Sequence, residues 1–396
     1  MKLVLKRRTK TEISLFFLFA IIIMPELFTQ IRMLAYGFAV LQLLVFFYYG
    51  YYEIKKRGLK KYYFVWCLIS LYLLFLMIVY GNYSDIDKWG RLLILVLDTM
   101  MILDYYIEKG KTEELLSSIT FLGIIYYAIN SLMIVFTPSG FLRVNGLSYY
   151  LLGIRTDFLK FFFPFALVGG LNFIYYKNRI RTIILFTLAI FNFIELDVST
   201  SIVSILVLGF LIIFRKELSK FVNVKTAVLF AAVMNVAFIF LNALSTFSWF
   251  IVGVLRRDLT LTHRVYIWQE AVRQILESKI GLVFGHGIVN GGSFVQFGLY
   301  GGSTFWPAHN QFLQWLFEYG ILGTITILAW LISLDKNNDD LIDSYYCRAI
   351  IMTMLVTSIS SGPFVNHLGY ICACFLPLII KMRQQVEDKE KRIKSA

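Results

Sequence analysis

The chain has 396 residues, of which 58% are hydrophobic and 16% charged, and its formal net charge is +13. Its mean hydropathy is +0.70. Such values exclude an ordinary soluble enzyme, and no polar stretch remains that is long enough for a separate soluble catalytic domain. The four cysteines, Cys67, Cys347, Cys372 and Cys374, fall in or beside apolar segments. The Cys-x-Cys pair lacks the companion ligands of a metal site, so all four read as small core residues.

The N-terminal "MKLVLKRRTK" and the apolar run behind it imitate a signal peptide. "MPELFTQIR" stands where a small-x-small cleavage site belongs, so the segment reads as a retained first helix. From there apolar stretches of about 18–22 residues recur, each long enough for a hydrocarbon core of roughly 30 Å. Twelve spans are expected, near 13–29, 33–52, 62–80, 91–107, 115–136, 158–176, 180–195, 197–214, 222–242, 310–332, 345–361 and 365–380. "ELDVST" between the seventh and eighth is a short polar hinge, compatible with two spans or with one re-entrant hairpin. The fold class expected is an all-α polytopic membrane protein, one integral domain over 1–396.

Lysine and arginine favour cytoplasmic loops. With the N-terminus inside, about 27 of the 38 basic residues fall on the inner side, so both termini are expected in the cytoplasm. The positive charge then reflects topology and does not call for nucleic acid. The longest outer loop spans 243–308, a second covers 137–157, and all four histidines lie on the outer side.

The loop at 137–157, "TPSGFLRVNGLSYYLLGIRTD", carries Arg143 and Arg155, and Lys160 lies just inside the next span. Arg155 is also placed to pair simply with Asp157. In the long loop, "TLTHRVYIWQEAVRQILESK" sets Val265, Trp268, Val272, Ile275 and Leu276 at helical spacing, with Thr262 as N-cap. This predicts an amphipathic helix on the outer surface. Arg264 stands one turn from Trp268, whose ring can brace its guanidinium against a ligand. Arg273 reads as a solvating residue of the polar face.

Next comes "GLVFGHGIVNGGSFVQFGLYGGSTFWP", glycine-rich and without apolar periodicity, in which Gly285 and Gly287 flank His286. Glycines let backbone N–H groups approach an anion, although the stretch is equally compatible with a mobile loop. No Walker-type Gly-Lys-Ser/Thr pattern is present, so a nucleotide site is unsupported.

"FWPAHNQFLQWLFEYGILG" then places polar groups at the head of an apolar span. Pro307 is tolerated in a first helical turn, so the helix is expected to begin near it, with His309 and Asn310 in that turn. The partial positive charge of a helix N-terminus attracts phosphate and keeps His309 neutral, able to accept a proton. Asn310, Gln314 and Glu318 form one stripe, with Glu318 roughly 13 Å below His309. At that depth Glu318 is expected to be a hydrogen-bonding anchor facing the bundle interior. Gly320 and Gly323 are expected to admit a close neighbouring helix.

In the order "HRVYIWQEAVRQI", "GHG", "HNQFLQWLFEYGILG", the sequence resembles the O-antigen ligase and polysaccharide polymerase superfamily over about 263–323. The proline usual before the first Gly-x-Gly is absent, "SKIGLVFGHG" standing there instead. The resemblance implies an all-helical fold related to the GT-C-like lipid-linked glycosyltransferases. It implies glycan transfer from an undecaprenyl-diphosphate carrier to an acceptor hydroxyl at the outer face of the bacterial cytoplasmic membrane, without metal, nucleotide sugar or other cofactor. Arg264 would hold the diphosphate and His309 activate the acceptor; Arg155, Arg143, Gly285, Gly287 and Asn310 would complete the diphosphate site. Trp268, Glu318 and His286 are expected to support it structurally.

The expected activity is a polymerase joining lipid-linked oligosaccharide repeat units into capsular, exopolysaccharide or O-antigen chains. Its partners would be the glycan donor and acceptor, membrane lipid, a flippase and a chain-length regulator. A ligase attaching finished glycan uses the same chemistry. A polysaccharide flippase is the alternative of another class; it would predict ionisable midplane residues, such as Asp98, Asp104, Lys160 and Glu318, and repeated halves, which are not seen. The topology predicts that in intact cells a cysteine placed at Ser293 reacts with an impermeant thiol reagent while one at Ser395 does not; the reverse pattern overturns it.

Overall fold

The computed structural model describes residues 9–395 apart from 57, 59, 145, 241–244, 247, 255–262, 300, 301 and 336–340. The chain opens with α1 (Lys10–Ile22), started by a capping box in which Thr9 and Glu12 bond each other's backbone N–H. The chain then reaches Pro25 and turns through α2 (Glu26–Thr29) into α3 (Arg32–Lys56), α4 (Lys61–Val79), α5 (Ile86–Glu108) and α6 (Thr112–Phe136). A small hairpin, β1 (Leu142–Val144) with β2 (Leu147–Tyr149), leads to α7 (Phe158–Tyr176), α8 (Arg179–Glu195), α9 (Ser199–Ile213), α10 (Arg215–Leu218) and α11 (Val224–Phe240).

A π-helical turn at Trp249–Val254 precedes α12 (Arg264–Glu277) and α13 (Lys279–Phe284). A second antiparallel hairpin, β3 (Val295–Leu299) with β4 (Gly302–Trp306), leads to α14 (Gln311–Leu334). The chain closes with α15 (Ile342–Thr357), α16 (His367–Phe375) and α17 (Ile379–Ser395).

Each stretch expected to span is built around a helix, and five are long and apolar enough to cross a membrane: Arg32–Lys55, Lys61–Val79, Thr112–Phe136, Phe158–Tyr176 and Gln311–Leu334. The first helix ends at Ile22, not near 29, because the chain cannot continue in α conformation into Pro25. Residues 180–214 form two helices, since Asp197 adopts φ 48 between them.

Helix ends pair off at two opposite faces. At one, Arg348 binds Asp335 at 2.9 Å, Asp335 also accepts from Val224 N at 3.1 Å, and Arg383 binds Asp343 at 2.8 Å. At the other, His367 meets the Ile22 carbonyl at 2.8 Å, Gln311 N donates to the Ser358 carbonyl at 2.9 Å, and Leu27 N donates to Leu151 O at 3.2 Å. Between the faces lies an apolar core in which the buried rings of Trp66, Trp330 and Tyr370 pack at centroid distances of 4.8–6.1 Å. A second buried cluster gathers Ile267, Trp268, Ala271 and Ile275 of α12 with Phe294, Val295, Ala308 and Leu313.

The buried stripe of α12 therefore differs from the expected one. Ile267 and Ala271 take the inner positions, while Leu276 is exposed. The residue before the helix is His263, at φ 68 and with no side-chain cap; Thr262 lies outside the described residues.

The least regular point of the bundle is Gly320, where α14 breaks at φ 65 and ψ −173. The carbonyls just ahead of the break lose their intrahelical donors, and Phe317 O and Glu318 O accept instead from His286 N and Gly287 N, both at 2.9 Å. Gly285 N is engaged with Gly281 O at 2.6 Å. Tyr72 of α4 donates its hydroxyl to the Phe284 carbonyl beside them. A Cβ on Gly285 would lie 2.5 Å from Glu318 O, so the two backbones touch directly. A Cβ on Gly323 would lie 3.0 Å from the Tyr72 ring of α4, as expected of a helix-contact glycine.

These glycines thus serve a helix break rather than an anion cradle. Where water is absent, open carbonyls must find donors within the protein. Gly285→Ala combines that overlap with φ +91 and is expected to cost about 2 kcal/mol or more, whereas Gly209→Ala, with nothing within 4 Å, should be neutral. Melting temperatures of the two variants in detergent check this.

Candidate active site

A cavity of about 180 Å³ lies at the face shared by the Ile22, Ser358 and His367 contacts. Four helices begin at its wall. The start of α7 brings Asp157 and Lys160, and that of α9 brings Val198 and Thr200. Arg264 is the first residue of α12, and the approach to α14 brings Pro307, His309, Asn310 and Gln314. Ser360, Ser361 and Gly362, between α15 and α16, close the remaining side. Helix starts present partial positive charge and N–H groups, so this convergence favours an anion before any side chain is counted.

Two cations reinforce that field. Arg264 donates from Nη1 to the Ser360 carbonyl, which anchors the guanidinium across the cavity from its own helix. Lys160 bonds Asp157 through Nζ and Oδ1 at 2.6 Å, and Asp157 Oδ2 accepts from Ile154 N at 3.2 Å.

His309 sits beside both cations. Burial first, then the charges of Arg264 and Lys160, push its imidazole down to about 4, so the ring is neutral at physiological pH. Neutrality was expected from a helix N-terminus; its main cause is desolvation. His309 also does not lie within the helix, because α14 starts at Gln311 and Asn310 is its N-cap, accepting from Leu313 N at 3.1 Å. His309 precedes the cap at φ 49, a conformation that turns the chain from β4 into the helix. Pro307 belongs to that turn.

Asn310 lines the cavity, but its amide is committed: Nδ2 donates to Asn235 at 2.6 Å and to the Ile359 carbonyl at 3.0 Å. It fixes the helix start on which His309 depends. Gln314, one turn on, accepts from Ala308 N at 3.3 Å and donates to Gly292 O at 2.9 Å and to Glu318 at 2.7 Å. Glu318 is therefore tied into a stripe with Gln314, as an anchor would be.

The remaining sequence candidates lie elsewhere. Arg143, on β1, and Arg155 are exposed and outside the cavity lining, so Lys160 and not these arginines stands with Arg264. Gly285 and Gly287 have their N–H groups turned to α13 and α14, respectively. His286 stacks on Phe317 at 4.6 Å beside them. Trp268 is 1% exposed within the second apolar cluster, and the Arg264 guanidinium donates to the Ser360 carbonyl. Arg273 binds Glu270 and Glu277 on the exposed face of α12. Thr200, Ser360 and Ser361 were not singled out from sequence; a few hydroxyls beside a helix end carry no signal distinct from capping.

A larger cavity of about 430 Å³ lies at the opposite face, lined by Glu12, Glu113, Glu114, Asp388 and Lys389 among others. Its carboxylates outnumber its lysine and would repel an anionic substrate.

Residues 183–328 match the family model described as O-antigen ligase. The match includes Thr200, Arg264, His309 and Asn310, and begins after Asp157 and Lys160. No curated protein and no solved structure matches the chain. Over residues 183–328 the chain is therefore similar to the O-antigen ligase family, and Arg264 and His309 of that stretch meet in one cationic cavity.

Proposed function

We propose that the chain is a polysaccharide polymerase that joins undecaprenyl-diphosphate-linked repeat units at the outer face of the bacterial cytoplasmic membrane. Members of the family are glycosyltransferase-like enzymes acting on lipid-linked glycans in a membrane. The observation that carries the reading is the cavity itself, where four helix starts, Arg264 and Lys160 surround a neutral His309. That set suits a diphosphate leaving group beside a hydroxyl nucleophile.

In the reaction, the hydroxyl oxygen of the acceptor sugar attacks the anomeric carbon of the donor glycan. The new C–O bond forms as the bond from that carbon to the phosphate oxygen breaks, and the diphosphate leaves with the electron pair. Arg264 and Lys160 stabilise the charge that develops on it. His309 takes the hydroxyl proton. Two cations make the site a poor place for an imidazolium, and a bound diphosphate offsets them, so His309 becomes a stronger base once the donor is seated.

The topology goes with this reading: twelve spans, both termini in the cytoplasm, and 243–308 outside, with its GHG segment reaching down to the break in α14. A ligase that transfers finished glycan is the second reading, favoured by the description of the matching family as O-antigen ligase. Reconstitution with one defined lipid-linked repeat unit decides among the possibilities. A ladder of products is expected; a single transfer to a terminal acceptor indicates the ligase, and substrate crossing the bilayer without transfer overturns the reading.

Arg264→Lys keeps the charge but not the planar fork, and should lower turnover about 10- to 100-fold at equal expression. Polymer yields in membranes supplied with the repeat unit check it. His309→Ala should lose about 10²- to 10⁴-fold, and His309→Gln should be no better; near-normal ladders from His309→Gln would remove proton abstraction from the mechanism.

The pH dependence has a definite sign. The base form of His309 is lost only as pH falls toward about 4 in the free enzyme, so the acid limb of kcat/KM should lie well below 6.5. The limb of kcat, set in the substrate complex, should lie higher, because the diphosphate offsets Arg264 and Lys160. Initial rates from pH 4 to 8 at low and saturating donor test the order of the two limbs.

A further inference from the structure

Asp157 is the one carboxylate in the cavity lining, among the described residues, and it stands against the cation best placed to join Arg264 on a diphosphate. The Lys160–Asp157 contact is 2.6 Å, and the two side chains are only 23% and 13% exposed. A second carboxylate lies close behind. Glu26, on α2, is within electrostatic range of Asp157, Lys160 and Arg91, and burial first, then the Asp157 charge, push its carboxyl up. The turn at Gly153 lets them meet: a Cβ there would lie 2.7 Å from Asp157 Oδ2 and 2.8 Å from Glu26 Cβ, and φ is +105. α2 is held against the same turn by the Leu27–Leu151 hydrogen bond of 3.2 Å. Two carboxylates are therefore assembled, from distant parts of the chain, around one ammonium of the anion site.

An enzyme built only to hold diphosphate tightly would leave that lysine to the substrate. We infer that Asp157, backed by Glu26, is a counter-ion that competes with the diphosphate for Lys160 and so sets the rate at which the diphosphate product leaves. This rests on the reading of the cavity as the diphosphate site. Before a diphosphate is seated, Lys160 is neutralised by Asp157, which offsets the cost of keeping an ammonium in a half-buried wall. When the diphosphate is seated, Lys160 is shared between two anions that repel each other. After transfer the leaving diphosphate carries more charge than it did as part of the donor, the repulsion grows, and Lys160 returns to Asp157. Both residues are positioning residues: they act on the substrate through Lys160.

The test uses the full chain in lipid nanodiscs, with undecaprenyl diphosphate and inorganic pyrophosphate as probes. Asp157→Asn removes the charge and keeps an acceptor for Lys160 or Ile154 N. Glu26→Gln replaces the second carboxyl and keeps an oxygen for Thr29, whose hydroxyl now donates at 3.2 Å. Asp157→Asn should bind undecaprenyl diphosphate roughly ten-fold tighter, with pyrophosphate shifting in the same direction. Its multiple-turnover rate should fall through product inhibition while the single-turnover rate is largely kept. Glu26→Gln should shift the same way by less, and it decides the matter if Asp157→Asn does not fold.

Unchanged or weaker diphosphate binding in the variants overturns the counter-ion role, since loss of a merely structural contact cannot tighten product binding. The two readings fail separately. If Arg264→Ala and Lys160→Ala leave diphosphate binding as it was, the cavity is not the diphosphate site and the reading beneath this inference falls. If they weaken it and Asp157→Asn does not tighten it, only the counter-ion role is lost.

Discussion

The carbonyls that α14 leaves open ahead of Gly320 must find donors at a depth where water cannot supply them, and much of the architecture around the site follows from that demand. The donors come from the backbone of His286 and Gly287, which draws the glycine-rich segment down against α14. With the segment held there, α13 packs along the upper part of α14, and Val295 of β3 joins Leu313 in the second apolar cluster. Gly292, further along the same loop, receives the amide of Gln314. The first nine residues of α14 thereby form a short, separately supported helix. Its cap, Asn310, is fixed by Asn235 of α11 and by the Ile359 carbonyl in the turn after α15. His309 is carried on that cap, so the placement of the proposed base depends on a backbone break three turns away.

Electrostatics in the cavity follow from a second convergence. Helices α7, α9, α12 and α14 all begin there, and Arg264 and Lys160 sit in first turns, where a cation gains nothing from the helix dipole. The protein tolerates this arrangement because each cation has an oxygen partner, the Ser360 carbonyl for Arg264 and Asp157 for Lys160. Such a site is poised for a multiply charged anion and disfavours an added proton, which accounts for an uncharged His309 without a special hydrogen bond. The carboxylates of Asp157 and Glu26 moderate the same field.

Much of this was legible in the linear sequence, and the misses have physical causes. Spans could be placed because lipid demands long apolar runs and leaves little latitude for alternatives. The early end of α1 depends on Pro25, whose local restriction outweighs hydropathy, whereas the turn at Asp197 falls within the polar hinge expected between the seventh and eighth spans. Arg264 and His309 were recognisable because polar groups at the heads of helices are costly unless used. Arg143 and Arg155 carried the right charge in a neighbouring loop, but hydropathy says nothing of which way a loop faces, and it is Lys160, one turn into α7, that reaches the cavity. Gly285 and Gly287 suited an anion loop and a helix contact equally well; only the break at Gly320 distinguishes the two uses.

By itself, then, the sequence determined the membrane class, the positions of the helices, the expectation of an outward-facing long loop and the two residues on which the chemistry is proposed to turn. These are properties of runs and spacings, set by the thickness of the bilayer and the cost of burying charge. Tertiary structure alone decided that four helix starts share one cavity, that Lys160 is held by Asp157 with Glu26 behind it, and that burial is the largest influence on His309. Asp157 and Lys160 stand three residues apart, but the shared cavity, the approach of Glu26 and the burial of His309 depend on contacts between segments far apart in the chain, and such contacts leave no period or spacing in the sequence to be read.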